Sequence, residues 1–463
     1  MQEEQYGQNE RFFRGRRQSP WLMVAYGMVG ASISGVTFVG VPGMVLSQQM
    51  TYLQTCLGFI FGYVAVAFLL LPRYYRSGSA SIYSLLQQRL GLSARKTGAA
   101  IFLVGKLASA SVRFYVACLI VHSLLLRPYN IPFFATAALM VFAVWLYTRR
   151  GGIATLVRTD VVQTTCMLLA LLLIIYKVVA VLHFSPAEAA QAVSESPMSR
   201  VFVWDEWQSP RWFWKQFLSG IFIVVVMTGL DQDMMQKNLT CRSLRKAQAD
   251  MCCYGLAFLP VNLLFLSLGV LLTLLAEEWG VALPARGDEL LPMFAATGRL
   301  GTSVVVLFAV GVVSASLSSA DSALTALTTS TCVDLWQRPG DTSLRRRVHL
   351  MLTAVLVMLV AGVDALGSQS VIDTIYTLVG YTYGPLLGLF GYALLHRSHL
   401  RSYAVALVCI ASPLLCGLLS WAAAYCWNYL FGYELLLLNG LLTWGGLWLA
   451  NSLTRMEEGE CGR

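Results

Sequence analysis

One apolar stretch, residues 310–336, carries the residue types best suited to bind a cation. Many of its side chains are hydroxyls, and a carboxylate, Asp321, lies among them. The i, i+3, i+4, i+7 spacing puts four of its polar residues on one helical face: Ser318, Asp321, Ser322 and Thr325. Hard cations prefer oxygen ligands, so this face predicts a cation site. The alternative is that each hydroxyl bonds to a carbonyl of its own helix, which leaves the carboxylate unexplained.

A second stretch, residues 20–46, is rich in residues that weaken a helix: Gly27, Gly30, Gly35, Gly40, Pro42 and Gly43. A break in such a helix frees backbone carbonyls, which bind cations, and creates a half-helix N-terminus, which favours anions. The alternative is close packing of helices through small residues. Hydroxyls accompany the glycines at Ser32, Ser34 and Thr37.

Several ionisable residues lie inside or at the ends of other apolar stretches, where they need a cavity or a partner because they are costly in hydrocarbon. Asp160 opens one stretch, and we interpret Asp231 and Asp233 as salt-bridge or helix-end partners beside a basic loop. Lys106 is long enough to extend its ammonium group towards the membrane interface. Arg113 lies deeper and needs an anion, supplied either by a protein carboxylate or by a substrate.

The elements that position these residues are predicted to be membrane-spanning helices. Of the 463 residues, 57% are hydrophobic and only 12% are charged, about half the charge of a soluble protein. Because a spanning helix needs roughly 20 apolar residues, we predict twelve spans. Their approximate bounds are 20–46, 51–72, 97–126, 131–148, 155–182, 212–236, 247–276, 300–334, 346–364, 370–396, 402–425 and 432–453. This organisation is one transmembrane domain, 20–453, between short tails, 1–19 and 454–463.

The lysines and arginines alternate between rich and poor loops along this series of spans. Four arginines precede the first span, and further basic residues, including Lys237, fall in every second loop after it. The intervening loops hold few: Arg127, Arg200, Arg211 and Arg286. Cytoplasmic loops carry the basic excess, so we expect both termini in the cytoplasm and the protein in the plasma (inner) membrane. The net charge of +9 is therefore a topology signal and does not indicate a nucleic-acid partner.

The chain lacks the patterns of an enzyme. No phosphate-binding loop or H-E-x-x-H pair is present, and the five histidines form no ligand set. Most of the eleven cysteines lie in apolar stretches, as small packing residues do in membrane helices. We expect neither catalysis nor a resident cofactor.

The motifs together resemble those of the sodium:solute symporter family over nearly the full chain. The similar segments are 34–43 (SGVTFVGVPG), 71–91 (LPRYYRSGSASIYSLLQQRLG), 151–163 (GGIATLVRTDVVQ), 229–239 (GLDQDMMQKNL) and 314–336 (SASLSSADSALTALTTSTCVDLW). The resemblance implies an all-α fold of the leucine-transporter type, with two inverted repeats of five helices followed by two C-terminal helices. Many members have an additional N-terminal helix, which this sequence is expected to lack.

The resemblance also implies where sodium binds. The principal site of the family would here use the carbonyls of Gly30, Ile33 and Ala315 with the hydroxyls of Ser318 and Ser319. A second sodium, present in some members, would match Asp160, Ser318, Asp321 and Ser322. Such members have a serine where Asp321 stands. The carboxylate either strengthens a second sodium site or carries a proton instead.

Family pockets for the solute lie beside the first, second, third and sixth spans. The matching candidates are Ser32, Ser34, Thr37, Gln54, Arg113 and Phe222. Arg113 resembles the arginine that pairs with the carboxylate in sialic-acid carriers, whereas Thr37 stands where many sugar carriers have glutamine.

The implied function is a sodium-coupled symporter that imports a small polar solute, with organic anions such as a sialic acid or a monocarboxylate among the candidates. We expect a monomer as the functional unit in the lipid bilayer. The alternatives are proton coupling through Asp160 or Asp321 and a sodium/sugar symporter. A transporter-like sensor is the least favoured, since such proteins usually carry a signalling domain that we do not expect here.

Overall fold

A computed structural model describes residues 9–461 except 11, 206, 208, 297, 366–370, 399, 428, 430 and 433. The described chain consists of helices and connecting loops and includes no β-strand. The helices that lie in the predicted spans are α1 (Trp21–Ser32), α2 (Gly35–Gly43), α3 (Tyr52–Ala65), α4 (Leu92–Val121), α5 (Phe133–Gly151), α6 (Ile153–Val181), α7 (Phe213–Val224), α8 (Gln232–Asn238), α9 (Leu244–Glu278), α10 (Thr302–Ser330), α11 (Thr342–Ala365), α12 (Val371–Leu395), α13 (Ser402–Trp427) and α14 (Leu435–Cys461). Further helices occupy Val45–Gln48, Leu71–Ser77, Ser84–Leu90, Pro186–Glu195 and Leu290–Ala295.

Seven helical units within the described residues are long and apolar enough to cross a membrane without interruption. They are Tyr52–Ser77, Leu92–Val121, Thr155–Val181, Leu244–Glu278, Thr302–Leu335, Thr342–Ala365 and Tyr403–Trp427. Two bent pairs, formed by α1 with α2 and by α7 with α8, raise the number to nine if each pair is one span. The remaining predicted spans correspond to the helices α5, α12 and α14, which are not among these seven units or the two bent pairs.

The first bend joins α1 to the segment Gly35–Gln48 at an angle of 61°. Ile33 and Ser34 leave helical geometry there, with ψ angles of 91° and 170°. The Ser34 hydroxyl then starts α2 by accepting a hydrogen bond from the backbone N–H of Thr37 at 3.4 Å. The glycine- and proline-rich sequence around 34–43 therefore forms the predicted break.

The second bend was not predicted: α8 turns away from the segment Phe213–Gly229 by 71°. Asp231 has extended backbone geometry (φ −96°, ψ 118°), and its carboxylate accepts from the backbone N–H of Asp233 at 2.8 Å. This is an aspartate N-cap that begins a new helix. The predicted sixth span, 212–236, is thus two helices in the structure.

Close contacts between backbones hold the two bent pairs against their neighbours. A side chain at Gly58 of α3 would collide with the backbone of Phe217 in α7, and one at Gly220 would collide with Thr55. A side chain at Gly43 would likewise collide with the backbone of Gly287. Small residues thus allow helices to approach closely where side-chain packing alone supplies the attraction.

The loops sort to two ends of the helix assembly. At one end the N-terminal segment joins later loops: Ser19 N donates to Thr240 O at 3.2 Å and Asn9 Nδ2 donates to Pro339 O at 2.7 Å. At the other end Gln49 Nε2 donates to Pro197 O at 2.9 Å. This grouping agrees with the alternation of basic and basic-poor loops in the sequence.

Candidate functional site

The break between α1 and α2 lies against α6 and α10. A side chain at Gly27 would collide with Asp160, and one at Gly30 would collide with Thr164, both of α6. On the other side of the break, a side chain at Gly35 would collide with Ser316 of α10. The backbone of the broken helix therefore touches both helices that carry the predicted cation ligands.

The five residues of the predicted principal sodium site are all buried at this junction: Gly30, Ile33, Ala315, Ser318 and Ser319. The Ser319 hydroxyl donates to the Ala315 carbonyl at 3.3 Å, so these two oxygens are close enough to bind one cation. The Ser318 hydroxyl donates to Asp160 Oδ1 at 2.6 Å. Each hydroxyl donates its hydrogen to one of these hydrogen bonds, so the lone pairs of its oxygen remain available to a cation.

The predicted second sodium site contains a protein cation instead. Lys237 Nζ lies 2.8 Å from Asp160 Oδ2, and both side chains are 1% exposed. The sequence predicts that Lys237 lies in a basic cytoplasmic loop, whereas the structure buries it. It reaches the core because the 71° bend directs α8 towards α6. An ammonium group on Asp160 supplies the positive charge that a sodium ion was expected to supply.

Asp321, the carboxylate that departs from the family pattern, is also held by protein groups. The Tyr147 hydroxyl donates to its Oδ2 at 2.7 Å, and the Ser322 hydroxyl donates to its Oδ1 at 3.3 Å. All four residues of the expected second site thus have protein partners, and Lys237 is paired directly with one of them, Asp160.

A cavity opens beside the break, between α1, α2, α3, α4 and the α7–α8 bend. It contains four of the predicted solute-binding residues: Ser32, Ser34, Thr37 and Arg113. Aromatic and aliphatic side chains form much of its wall, including Tyr52, Phe59, Ile223, Met227 and Phe258. An apolar wall with a few convergent polar groups is typical of a small-molecule site.

Arg113 is the charged group of this cavity that lacks a protein partner. Its Nε is buried and makes no hydrogen bond, and it forms no salt bridge with the side chains that the structure describes. Of the two partners that the sequence left open, the described part of the chain supplies no carboxylate. The guanidinium is therefore available to an anion in the cavity.

Lys106 has the opposite environment, and the expectation that it extends to the interface is wrong. The residue is 7% exposed, and its Nζ lies 3.0 Å from Asp231 Oδ2 and 2.7 Å from Asp233 Oδ2. Tyr383 also donates to Asp231 Oδ2, at 3.0 Å. The prediction that Asp231 and Asp233 are salt-bridge and helix-end partners is confirmed.

The structure moves Gln54 and Phe222 out of the solute-binding set. Gln54 is fully buried; its Nε2 donates to Arg211 O at 2.9 Å, and its Oε1 accepts from Val203 N at 3.2 Å. Its amide connects α3 to the loop before α7 and is not in the cavity wall. Phe222 is also absent from that wall, to which the next residue, Ile223, contributes.

Sequence reasoning missed a chain of hydroxyls in the cavity. Tyr63 donates to the Tyr254 hydroxyl at 2.7 Å, and Tyr254 is hydrogen-bonded to Ser32 at the end of α1. These tyrosines lie in α3 and α9, and nothing in their local sequence marks them as polar-site residues. Only the packing of α9 against the broken helix reveals the connection.

Two discontinuous helices with a buried polar cavity at their breaks define a secondary transporter fold. The sequence profile of the sodium:solute symporter family matches residues 12–395. The chain belongs to this family, whose members are transporters of small solutes embedded in membranes.

Curated relatives match most of the chain at low identity. The human sodium/iodide cotransporter is 24% identical over 395 residues, covering 82% of this chain and 60% of the relative. The sodium/sialic acid symporter of Proteus mirabilis (strain HI4320) is 23% identical over 411 residues, covering 82% of this chain and 78% of the relative. This chain therefore spans less than two thirds of the human relative's length.

A solved structure has a similar fold. A Na+-coupled sialic acid symporter in a substrate-bound outward-open state superposes with a TM-score of 0.81 at 17% identity. The match covers 98% of this chain and 93% of that chain. The helix arrangement described above is thus that of a known symporter architecture.

Proposed function

We propose that this protein is a sodium-coupled symporter that imports a small organic anion. The observation that carries the proposal is Arg113, a cationic side chain without a described carboxylate partner, in the wall of a cavity at the break of the first helix. The half-helix N-terminus of α2 faces the same cavity through Ser34 and Thr37 and also favours negative charge. An anion satisfies both groups at once.

The names of the relatives support an anionic solute. One relative is a sodium/iodide cotransporter and another a sodium/sialic acid symporter, and both of these solutes are anions. The cavity of this chain adds hydroxyls to the arginine, at Ser32 and Tyr254. A carboxylate that also carries hydroxyl groups, such as a sialic acid, matches these partners better than a bare halide does. A monocarboxylate is the smaller alternative.

We propose that one sodium ion accompanies each solute. The ion binds the carbonyls of Gly30, Ile33 and Ala315 and the hydroxyls of Ser318 and Ser319. Lys237 already neutralises Asp160 at 2.8 Å, so a second ion there would have to displace a buried ammonium group. The structure of the junction supports a single coupled cation.

In the proposed cycle, sodium joins the broken first helix to α10 and stabilises the cavity in a solute-accepting state. The solute then binds Arg113, and the broken helices move relative to α6 and α10 so that the cavity opens to the other side. The membrane potential is worth about 2.3 kcal/mol per net transported charge per 100 mV. One sodium ion and one monovalent anion carry no net charge together, so the concentration gradient of sodium alone drives uptake.

The architecture that accompanies this function is a twelve-span domain, 20–453, with an inverted repeat. We propose that α1 to α6 and α7 to α12 form the two five-span repeats, with α13 and α14 as the peripheral pair. The equivalent bends at the start of each half, 61° and 71°, support this division. We further propose that both termini lie in the cytoplasm, which the basic loops support, and that the protein functions as a monomer in the plasma membrane.

The test is binding of candidate anions to purified protein in detergent, measured as the shift of the unfolding temperature in sodium and in potassium at equal ionic strength. We expect a hydroxylated carboxylate to raise the unfolding temperature in sodium and the rise to vanish in Arg113→Gln. Arg158→Gln is the matched control, because Arg158 is an exposed arginine of α6. Shifts that survive in Arg113→Gln would contradict the anion assignment.

Proton coupling is the second candidate, and Asp321 is the observation that favours it. Asp160 is paired with Lys237 at 2.8 Å. Asp321 is instead held by the hydroxyls of Tyr147 and Ser322 and forms no salt bridge with a described side chain, so it carries a negative charge without a direct cationic partner there. A proton on Asp321 would remove that charge. Uptake into proteoliposomes that follows a pH gradient in the absence of sodium would identify this mechanism.

A further inference from the structure

Arg345, at the start of α11, is a buried arginine for which the structure provides no counter-charge. The residue is 3% exposed, and its Nε and Nη1 are buried without a hydrogen-bond partner. Among the described side chains it forms no salt bridge. Burying an unpaired guanidinium is strongly unfavourable, so this position favours an anion, which the described side chains do not supply.

The side chain lines a second cavity, separate from the solute cavity, at the end of the protein that holds the N-terminal segment. Its described walls are Phe12, Trp145, Arg149, Arg345, Arg346 and His349. Three guanidinium groups thus surround one space whose described lining includes no carboxylate. The Nε of Arg149 is also buried and unpaired.

Aromatic rings hold two of these guanidinium groups in place. The Arg345 guanidinium lies 4.5 Å from the ring centroid of Phe12, and that of Arg149 lies 4.8 Å from the ring centroid of Trp145. Phe12 is itself fully buried. Stacking fixes the planes of the guanidinium groups and leaves their N–H groups free to bind an anion. The arginines are therefore positioned before any ligand arrives.

His349 forms the floor of the cavity and is not available to a ligand. Its Nε2 is hydrogen-bonded to the Thr148 hydroxyl at 3.0 Å and its Nδ1 to the Thr328 hydroxyl at 2.9 Å. Both ring nitrogens are therefore occupied, and the ring joins α5 to α10. Among the described lining residues, the charged recognition groups that remain are the three arginines.

We propose that this cavity, formed by the N-terminal segment with α5 and α11, binds a phosphate group. A phosphate monoester carries a charge of about −1.5 to −2 and three acceptor oxygens, which suits several guanidinium forks at once. A carboxylate offers a single charge to three arginines. The phosphate comes either from a lipid headgroup that ends in a phosphate monoester, such as phosphatidate, or from a soluble phosphorylated solute; the cavity lies between the end of α5 and the start of α11. Neither is the transported solute.

The ligand would tie the N-terminal segment to the transport machinery. Phe12 contacts the Arg345 guanidinium. His349, which forms the floor of the same cavity, is hydrogen-bonded to Thr328 of α10. Thr328 lies ten residues beyond the predicted sodium ligand Ser318 on that helix. Bound phosphate would therefore stabilise the contact between the N-terminal segment and α10. This site does not depend on which solute the protein transports.

The experiment measures unfolding temperature in nanodiscs. The probes are inorganic phosphate added to neutral phosphatidylcholine discs at constant ionic strength, and discs in which about a fifth of the lipid is phosphatidate. A rise of a few degrees with phosphate indicates a soluble ligand. A rise only with phosphatidate indicates a lipid headgroup. Either rise supports the site if Arg345→Gln abolishes it and Arg347→Gln, an exposed neighbour on the same helix, retains it.

Arg149→Gln provides a second variant in case Arg345→Gln does not fold, and we expect it to reduce the rise at least threefold. No rise with either probe in the unmodified protein overturns the proposal. An equal loss in Arg347→Gln also overturns it, because it would show that general surface charge and not the cavity causes the effect.

Discussion

Lys106 and Arg113 lie seven residues apart on α4, two turns along the same helical face, and both contribute to the wall of the solute cavity. They have opposite surroundings. Lys106 lies within 3.0 Å of two carboxylates at the bend before α8, whereas the Nε of Arg113 is buried without a partner. Two cations on one helix thus differ in whether the described chain provides their anion.

The difference separates a structural charge from a binding charge. Lys106 compensates the carboxylates that begin α8, so its contribution is made in the folded protein whether or not solute is present. Arg113 remains uncompensated until an anion enters. A buried cation in a membrane protein therefore indicates a ligand only when its surroundings lack a counter-charge, and the sequence alone does not distinguish the two cases.

The largest effect expected from this comparison is on stability. Lys106→Met leaves Asp231 and Asp233 buried side by side without a cation, at a cost of about 3–5 kcal/mol. Arg113→Gln removes an unpaired charge, so it should leave the free energy of unfolding of the solute-free protein unchanged or raise it. Chemical denaturation of both variants in detergent checks this. A larger loss for Arg113→Gln than for Lys106→Met would invert the assignment of the two residues.

The second effect concerns Lys237, which compensates Asp160 as Lys106 compensates Asp231. Lys237→Met should destabilise the protein by about 3 kcal/mol in potassium. Sodium should restore part of this stability, since an ion can then occupy the vacated side of Asp160, and the Hill coefficient for sodium should rise from one towards two. The exposed Lys177→Met of α6 is the control. A sodium response identical to that of the unmodified protein would show that Lys237 does not stand in for an ion.

The third effect tests the cation site beside the break. At sodium concentrations near 100 times the dissociation constant, binding stabilises the unmodified protein by about 2.7 kcal/mol. The double variant Ser318→Ala/Ser319→Ala should lose this sodium-specific stabilisation, because both hydroxyl ligands are gone. Ser314→Ala, a serine of the same helix outside the predicted ligand set, should keep it. Normal sodium-dependent uptake by the double variant would be incompatible with the ligand assignment.

The smallest effect concerns the hydrogen-bonded hydroxyls of Ser32, Tyr254 and Tyr63, which line the same cavity as Arg113. Tyr254→Phe removes the hydrogen bonds to Ser32 and Tyr63, worth about 1 kcal/mol, and should raise the KM for a hydroxylated anion roughly fivefold. A solute without hydroxyl groups should be less affected. Tyr26→Phe, which loses one exposed hydrogen bond to Thr165, should leave both KM values unchanged. Equal changes for the two solutes would mean that Tyr254 shapes the cavity without contacting solute.

The helical class and the first break could be predicted because their causes are local. Glycines and Pro42 weaken one stretch, and the spacing of Ser318, Asp321 and Ser322 is visible in the sequence itself. The second break, which the sequence analysis did not predict, also has a local signal. Gly229 followed by Asp231 is a helix end followed by an N-cap residue.

The pairing of charges could not be predicted, because it depends on helices distant in sequence. Asp160 lies in the fifth predicted span and Lys237 just beyond the sixth, and Lys237 sits beside a basic loop in the sequence. Only the bend before α8 directs it inwards. Gln54 shows the same limit: a polar residue in an apolar stretch looks like a ligand until its amide partners, Arg211 and Val203, are known.

The π-helical turn Val225–Gly229, just before the second bend, sets the rotational position of the residues that follow it in the chain. A π turn contains one more residue than the α turn it replaces, and each residue advances a helix by about 100°. Deleting Met227 would restore α geometry and rotate the chain beyond it by that angle. Asp231 would then turn away from Lys106, and Lys237 from Asp160, although no charged residue had been changed. A single-residue deletion in an apolar segment would thus uncouple both buried ion pairs.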